Sequence, residues 1–119
     1  MPHIHLEYSD NIENLKPRSL LIALNQALVD GAYVDSANDV KSRAICQQDY
    51  VIGLGDDSQA YVHAKVSLLT GRSVELQQAI SQLLLTTLEQ HLPQQSQVTL
   101  QICVEILEMQ KTTYSKKII

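Results

Sequence analysis

The chain has 119 residues, a hydrophobic fraction of 45%, a charged fraction of 18% and a formal net charge of −4. That length suits one domain with a real core, and the composition excludes a disordered chain. The negative balance and the absence of Phe and Trp argue against nucleic acid, which needs a basic face and aromatic stacking platforms.

No signal-peptide pattern opens the chain, and no apolar run approaches the roughly 18 residues that suggest a membrane span. A cytoplasmic location without membrane contact is the expectation. Cys46 and Cys103 lie in apolar, strand-like runs. They are expected as buried free thiols, because no CxxC or Cys/His ligand spacing accompanies them.

Alternation predicts a first strand over Pro2 to Ser9, with Ile4, Leu6 and Tyr8 on one face and His3, His5 and Glu7 on the other. Removal of Met1 would leave Pro2 as a free secondary amine on a rigid ring at a strand end. An ordinary α-amino group titrates near about 7.7 to 8.0, and nearby cations lower that by disfavouring the protonated form. The plainer reading is a small second residue that permits methionine removal, at a strand start that tolerates a missing N–H. If Met1 stays attached, the Pro2 nitrogen is an amide without a usable lone pair.

A polar stretch then leads to Pro17, suited to the first turn of a helix. Leu20, Leu21, Leu24, Ala27 and Leu28 recur at spacings of three and four, with Gly31 as the C-terminal cap. Val40 to Cys46 reads as a second strand, with Lys41 and Arg43 on one face. Gln47 to Gln59 reads as a hairpin or short ladder turning at Gly53 to Asp57. A third strand covers Ala60 to Leu69. Gly71-Arg72-Ser73 turns the chain, with Ser73 as N-cap and Glu75 in the first turn of a long helix. Its stripe is Leu76, Ile80, Leu83, Leu84 and Leu88, and Pro93 ends it. Val98 to Met109 is the fourth strand, and the tail 110–119 lacks a clear period.

Ile4-His5-Leu6 is echoed by Val62-His63-Ala64, and Ser19-Leu20 by Ser73-Val74, so the single domain 1–119 divides into pseudo-repeats of about 2–56 and 60–109. Each half reads as a β-α-β crossover between parallel strands. Side by side they make an α+β, two-layer fold: one four-stranded sheet with both helices on one face. The other face, with His3, His5, Glu7, His63 and Lys65, would stay semi-polar, and a sheet left half bare meets a partner. His3, His5 and His63 raise a three-histidine zinc pattern, but histidines two apart in a strand are more often polar interface residues.

These residues also carry a family resemblance. The Met1-Pro2 start and Leu69 to Glu75, with its Gly-Arg-Ser-x-Glu turn, resemble the tautomerase superfamily of 4-oxalocrotonate tautomerase and macrophage migration inhibitory factor-like proteins. Pro2-His3-Ile4, Glu7 to Ile12, Lys41-Ser42-Arg43, Tyr61-Val62-His63 and Gly71 to Glu75 are together similar to the 5-carboxymethyl-2-hydroxymuconate isomerases, over residues 2 to about 109. The resemblance implies a homotrimer whose sheets form an inner barrel, with active sites near subunit boundaries and no metal or cofactor. It implies a proton shuffle on a small-molecule carboxylate in bacterial degradation of aromatic compounds such as homoprotocatechuate, with the processed Pro2 amine as base and acid.

The residue chemistry is consistent with this. Arg72 can grip a carboxylate with two hydrogen bonds and lower the amine pKa, helped by the adjacent helix N-terminus. Lys41 and Arg43 are candidates for the 2-oxo group or a second carboxylate. The chain departs from the family in three places. Lys41 stands where relatives carry Arg, Ala44-Ile45-Cys46 replaces aromatic residues, and the tail is short. Two other readings arise from those departures: a tautomerase for another keto-enol substrate such as an aryl pyruvate, and a non-catalytic trimeric binding protein.

Overall fold

A computed structural model describes all 119 residues. Its elements are β1 (His3–Ser9), α1 (Pro17–Asp30), a 3-10 turn (Ala37–Asp39), β2 (Lys41–Gln47), β3 (Gln59–Leu69), α2 (Val74–His91) and β4 (Thr99–Met109). The strands form one sheet in the order β2-β1-β3-β4. β1 runs parallel to β2 and antiparallel to β3, and β3 runs parallel to β4. This is the expected two-layer α+β architecture.

Strand alternation decides which side chains meet the helices. Ile4 and Leu6 of β1 and Ala60, Val62, Ala64, Val66 and Leu68 of β3 are all buried on the covered face. Leu20, Leu24 and Leu28 of α1 and Ile80, Leu84 and Leu88 of α2 complete the core. Leu76, expected in the stripe, lies in the first turn of α2 and is 37% exposed. Thr87 takes a buried place instead, its hydroxyl donating to the Leu83 carbonyl at 2.8 Å.

The turn between β3 and α2 is set by two residues. Ser73 caps α2 as expected, its Oγ accepting from Leu76 N–H at 3.1 Å. Ser73→Ala is expected to cost about 1 kcal/mol of stability, seen as a lower denaturant midpoint with an unchanged slope. Gly71 sits at φ +121°, where a side chain would be strained, and so lets the chain double back and present Arg72.

The end of α1 differs from expectation in one detail. Gly31 does occupy the cap position, but at φ −77°, and the left-handed residue is Ala32 at φ 58°. Tyr33 N–H reaches the Leu28 carbonyl and Ala32 N–H the Val29 carbonyl, both at 3.0 Å, the paired bonds of a Schellman motif. The glycine serves space: a Cβ there would lie 2.5 Å from a ring carbon of Tyr33. Its absence lets Tyr33 fold back over the helix end.

The expected hairpin over Gln47 to Gln59 is not formed. β2 and β3 are separated by β1 in the sheet, so their connection crosses the end of β1, and residues 48–58 hold turns and bends with no strand. Gly53 and Gly55 make turns at positive φ, with Gly55 N–H on the Ile52 carbonyl at 3.1 Å. Tyr50 pins the segment by donating to Asp10 Oδ1 at 3.0 Å. The two cysteines are also corrected: both are free but exposed. They lie on β2 and β4, the two edge strands, where apolar neighbours in sequence do not guarantee cover.

No helix is long and apolar enough to cross a membrane.

Candidate active site

The start of β1 enters the sheet through Pro2, whose carbonyl accepts from Lys41 N–H at 3.1 Å. Pro2 is fully buried. Met1 precedes it in a cavity of about 220 Å³, with Tyr33 and Asp35 beyond α1, Asp39 of the 3-10 turn, and Arg72 before α2 among its lining. The free amine of the chain as it stands is that of Met1. Burial holds its pKa below the usual range, and the Arg72 charge lowers it further. Asp39 opposes this, while Lys116 and Lys41 add to it.

Arg72 is poised for an anion. Its Nη1 donates only a long bond, 3.4 Å, to the Leu69 carbonyl, and none of the ion pairs in the chain involves it. Lys41 Nζ donates to the Asp39 carbonyl at 3.2 Å. Arg43 lies two residues along β2, opposite His5, and donates from Nη1 to His3 Nδ1 at 3.2 Å. The structure therefore brings Arg72 and Lys41 to the amino end and places Arg43 further along the open sheet face. There Arg43 borders a second hollow with His5, Glu7, Gln47 and Lys65.

The contact with Arg43 also fixes the state of His3. An arginine only donates, so Nδ1 accepts and the ring proton sits on Nε2, 2.9 Å from the Tyr114 hydroxyl. Burial and then the Arg43 charge hold the His3 pKa below its ordinary value, which agrees with a neutral ring. His5 is lowered by burial, Arg43 and Lys65. The three histidines do not converge. His63 turns to two carboxylates, Glu105 at 2.9 Å and Glu7 at 3.6 Å, and no three His, Cys, Asp or Glu side chains stand together as metal ligands.

Three residues at this site, Asp39, Lys116 and Tyr33, are not marked by any motif. Asp39 and Lys116 pair at 3.7 Å, across 77 residues of chain, and Lys116 belongs to a tail without periodicity. Tyr33 carried one usable signal, the glycine two residues before it.

A mixed four-stranded sheet thus carries two helices on one face, with the chain's amine just ahead of a central strand and beside Arg72, and the isomerase class follows from the family to which this arrangement belongs. The family model described as "CHMI: 5-carboxymethyl-2-hydroxymuconate isomerase" matches residues 2–118, and the chain belongs to that family.

Solved structures agree. A 5-carboxymethyl-2-hydroxymuconate isomerase from Deinococcus radiodurans is similar at 28% identity and a TM-score of 0.88, over 98% of this chain and 88% of that one. A 5-carboxymethyl-2-hydroxymuconate delta-isomerase is similar in fold at 22% identity and a TM-score of 0.69, over 99% and 88%. A fused 4-OT wild-type symmetric trimer has the same fold at 22% identity and a TM-score of 0.73, over 92% and 87%. No curated protein sequence matches the chain.

Proposed function

We propose that the chain, once Met1 is removed, converts the dienol of 5-carboxymethyl-2-hydroxymuconate, or a closely similar unsaturated 2-hydroxy carboxylate, into its 2-oxo isomer. The observation that carries this reading is geometric: the chain's amino end, at the head of β1, shares a cavity with Arg72, whose charge together with burial holds the Met1 amine below its usual pKa. Removal of Met1 would leave the free amine on Pro2 in the same corner. The neutral secondary amine takes the proton of the 2-hydroxyl group, and the oxygen lone pair forms the carbonyl as the double bonds shift. The resulting ammonium returns a proton to a distal carbon, so that one O–H bond is lost and one C–H bond is gained. A base with a pKa near the working pH serves both steps.

Arg72 would hold a substrate carboxylate in its planar fork. Lys41 and Arg43 would steady the oxygen on which charge develops. The reaction would belong to bacterial breakdown of aromatic compounds such as homoprotocatechuate. It would run in the cytoplasm, where the two exposed thiols stay reduced.

The working form would be a homotrimer. Its support is the uncovered sheet face, where Ile45 is 59% and Leu107 41% exposed, together with the fold shared with the trimeric 4-OT structure. Sedimentation equilibrium would then read three chain masses, and a monomer mass would remove this part of the reading.

The deciding experiment is ultraviolet absorbance of the dienol incubated with mass-verified, processed protein. Steady loss of the dienol band is the expected result. A flat trace with this substrate, beside turnover of an aryl enolpyruvate, would move the substrate class.

A further inference from the structure

The tail beyond β4 returns across the start of β1. Tyr114 accepts the His3 Nε2 proton at 2.9 Å, and the two rings meet edge to face with centroids 6.0 Å apart. Arg43 braces the same histidine from its other nitrogen. Two residues past this anchor, Lys116 Nζ stands 3.7 Å from Asp39 Oδ1 and 3.2 Å from the Met1 sulfur. Asp39 is held from behind by the 3-10 turn, which Ser36 caps by accepting from Asn38 N–H at 3.3 Å. Asp39 thus meets cations from three parts of the chain: Lys116 of the tail at its carboxylate, Lys41 of β2 at its backbone carbonyl, and Arg72 before α2 across the same cavity.

We propose that Lys116 binds the second carboxylate of a polycarboxylate substrate, and that Asp39 keeps that place until the substrate displaces it. The tail then sets the site's preference for substrates with more than one carboxylate. This deepens the proposed role of the amine site and rests on it.

Three features support the exchange. The Asp39 to Lys116 contact is longer than the roughly 2.7 to 2.9 Å of a strong charge-assisted bond. Both side chains are 30% exposed, and ion pairs so open to water hold weakly. Lys116's other contact is the Met1 sulfur, a weak acceptor that leaves with Met1. Processing therefore clears space beside the amine and removes a partner from Lys116 in one event. Asp39 and Lys116 also act on the amine with opposite signs, Asp39 raising and Lys116 lowering its pKa, as expected of charges facing the same group.

Calorimetric binding of adipate and of hexanoate to processed protein tests this. The two acids share a chain length and differ in the second carboxylate. Lys116→Met is expected to weaken adipate about tenfold, the size of one hydrogen bond to a charged group, and to change hexanoate by less than about twofold. Lys116→Arg is expected to recover adipate, and Asp39→Asn to tighten it. Equal losses for the two acids, no loss for either, or no binding of adipate to the wild type would each overturn the proposal. Neither acid has an enol, so the result is independent of turnover. A protein that binds adipate through Lys116 but isomerises nothing would refute the proton-transfer reading alone.

Discussion

Protein that keeps Met1 is expected to isomerise its substrate about 10²- to 10⁴-fold more slowly than processed protein, the range of a lost general base. Two physical effects combine. With Met1 attached, the Pro2 nitrogen is an amide whose lone pair is delocalised into the carbonyl, and it cannot accept a proton. Met1 also lines the cavity beside Arg72, where a substrate carboxylate would lie. Its own primary amine does occupy the site and has a lowered pKa, but it hangs on a freely rotating chain rather than on a ring fixed at the head of a strand. Pro2→Ala separates the two effects. Its processed form opens the cavity but carries a primary amine, so KM is expected to stay near wild type while kcat falls toward that of the unprocessed protein. Mass spectrometry establishes the processing state and dienol absorbance gives the rates. Turnover by protein retaining Met1 at the processed rate would place the base elsewhere.

The elements legible in the sequence are those whose signal is periodic. Val62, Ala64, Val66 and Leu68 alternate without interruption and are buried without exception. Leu20, Leu24 and Leu28 keep helical spacing and do the same. The features that differ depend on neighbours that a local pattern does not reveal. The apolar run around Cys46 looks like that of a central strand, yet β2 is an edge, and nothing covers the thiol. The turn residues Gly53 and Gly55 suggest a hairpin, and they do turn the chain. The flanking residues form no strand, and the segment instead carries the chain across the end of β1 from β2 to β3.

The site divides the same way. Pro2 and Arg72 are visible because each sits at a strand or helix boundary with its own local signature, a second-position proline and a glycine turn. Asp39 and Lys116 are not, because their meeting depends on where a loop and a terminal segment come to rest. The charges near the amine are therefore a longer set than the motifs suggest, and one of them is negative. Burial, Arg72, Lys116 and Lys41 lower the pKa of the Met1 amine, and Asp39 opposes them.

Arg72→Ala is expected to lower kcat/KM on the order of 100-fold, since up to two hydrogen bonds between ions are lost together. Most of this falls on KM, because the guanidinium has no carboxylate partner of its own within the chain and so contributes by meeting the substrate's. A second effect falls on the pH profile, and its sign is fixed. Arg72 lowers the pKa of the Met1 amine, and the same charge beside the processed Pro2 amine is expected to disfavour its protonated form in the same way. Removal of Arg72 raises that pKa, less of the amine is free at a given pH, and the acid limb of kcat/KM moves to higher pH. Arg72→Lys distinguishes charge from shape. The ammonium restores the electrostatic effect on the amine but not the planar fork, so the acid limb returns toward wild type while KM stays high. A pH profile together with KM for the three proteins reads both effects. An acid limb that stays in place in Arg72→Ala, or moves to lower pH, would mean that the guanidinium does not face the amine in the working enzyme.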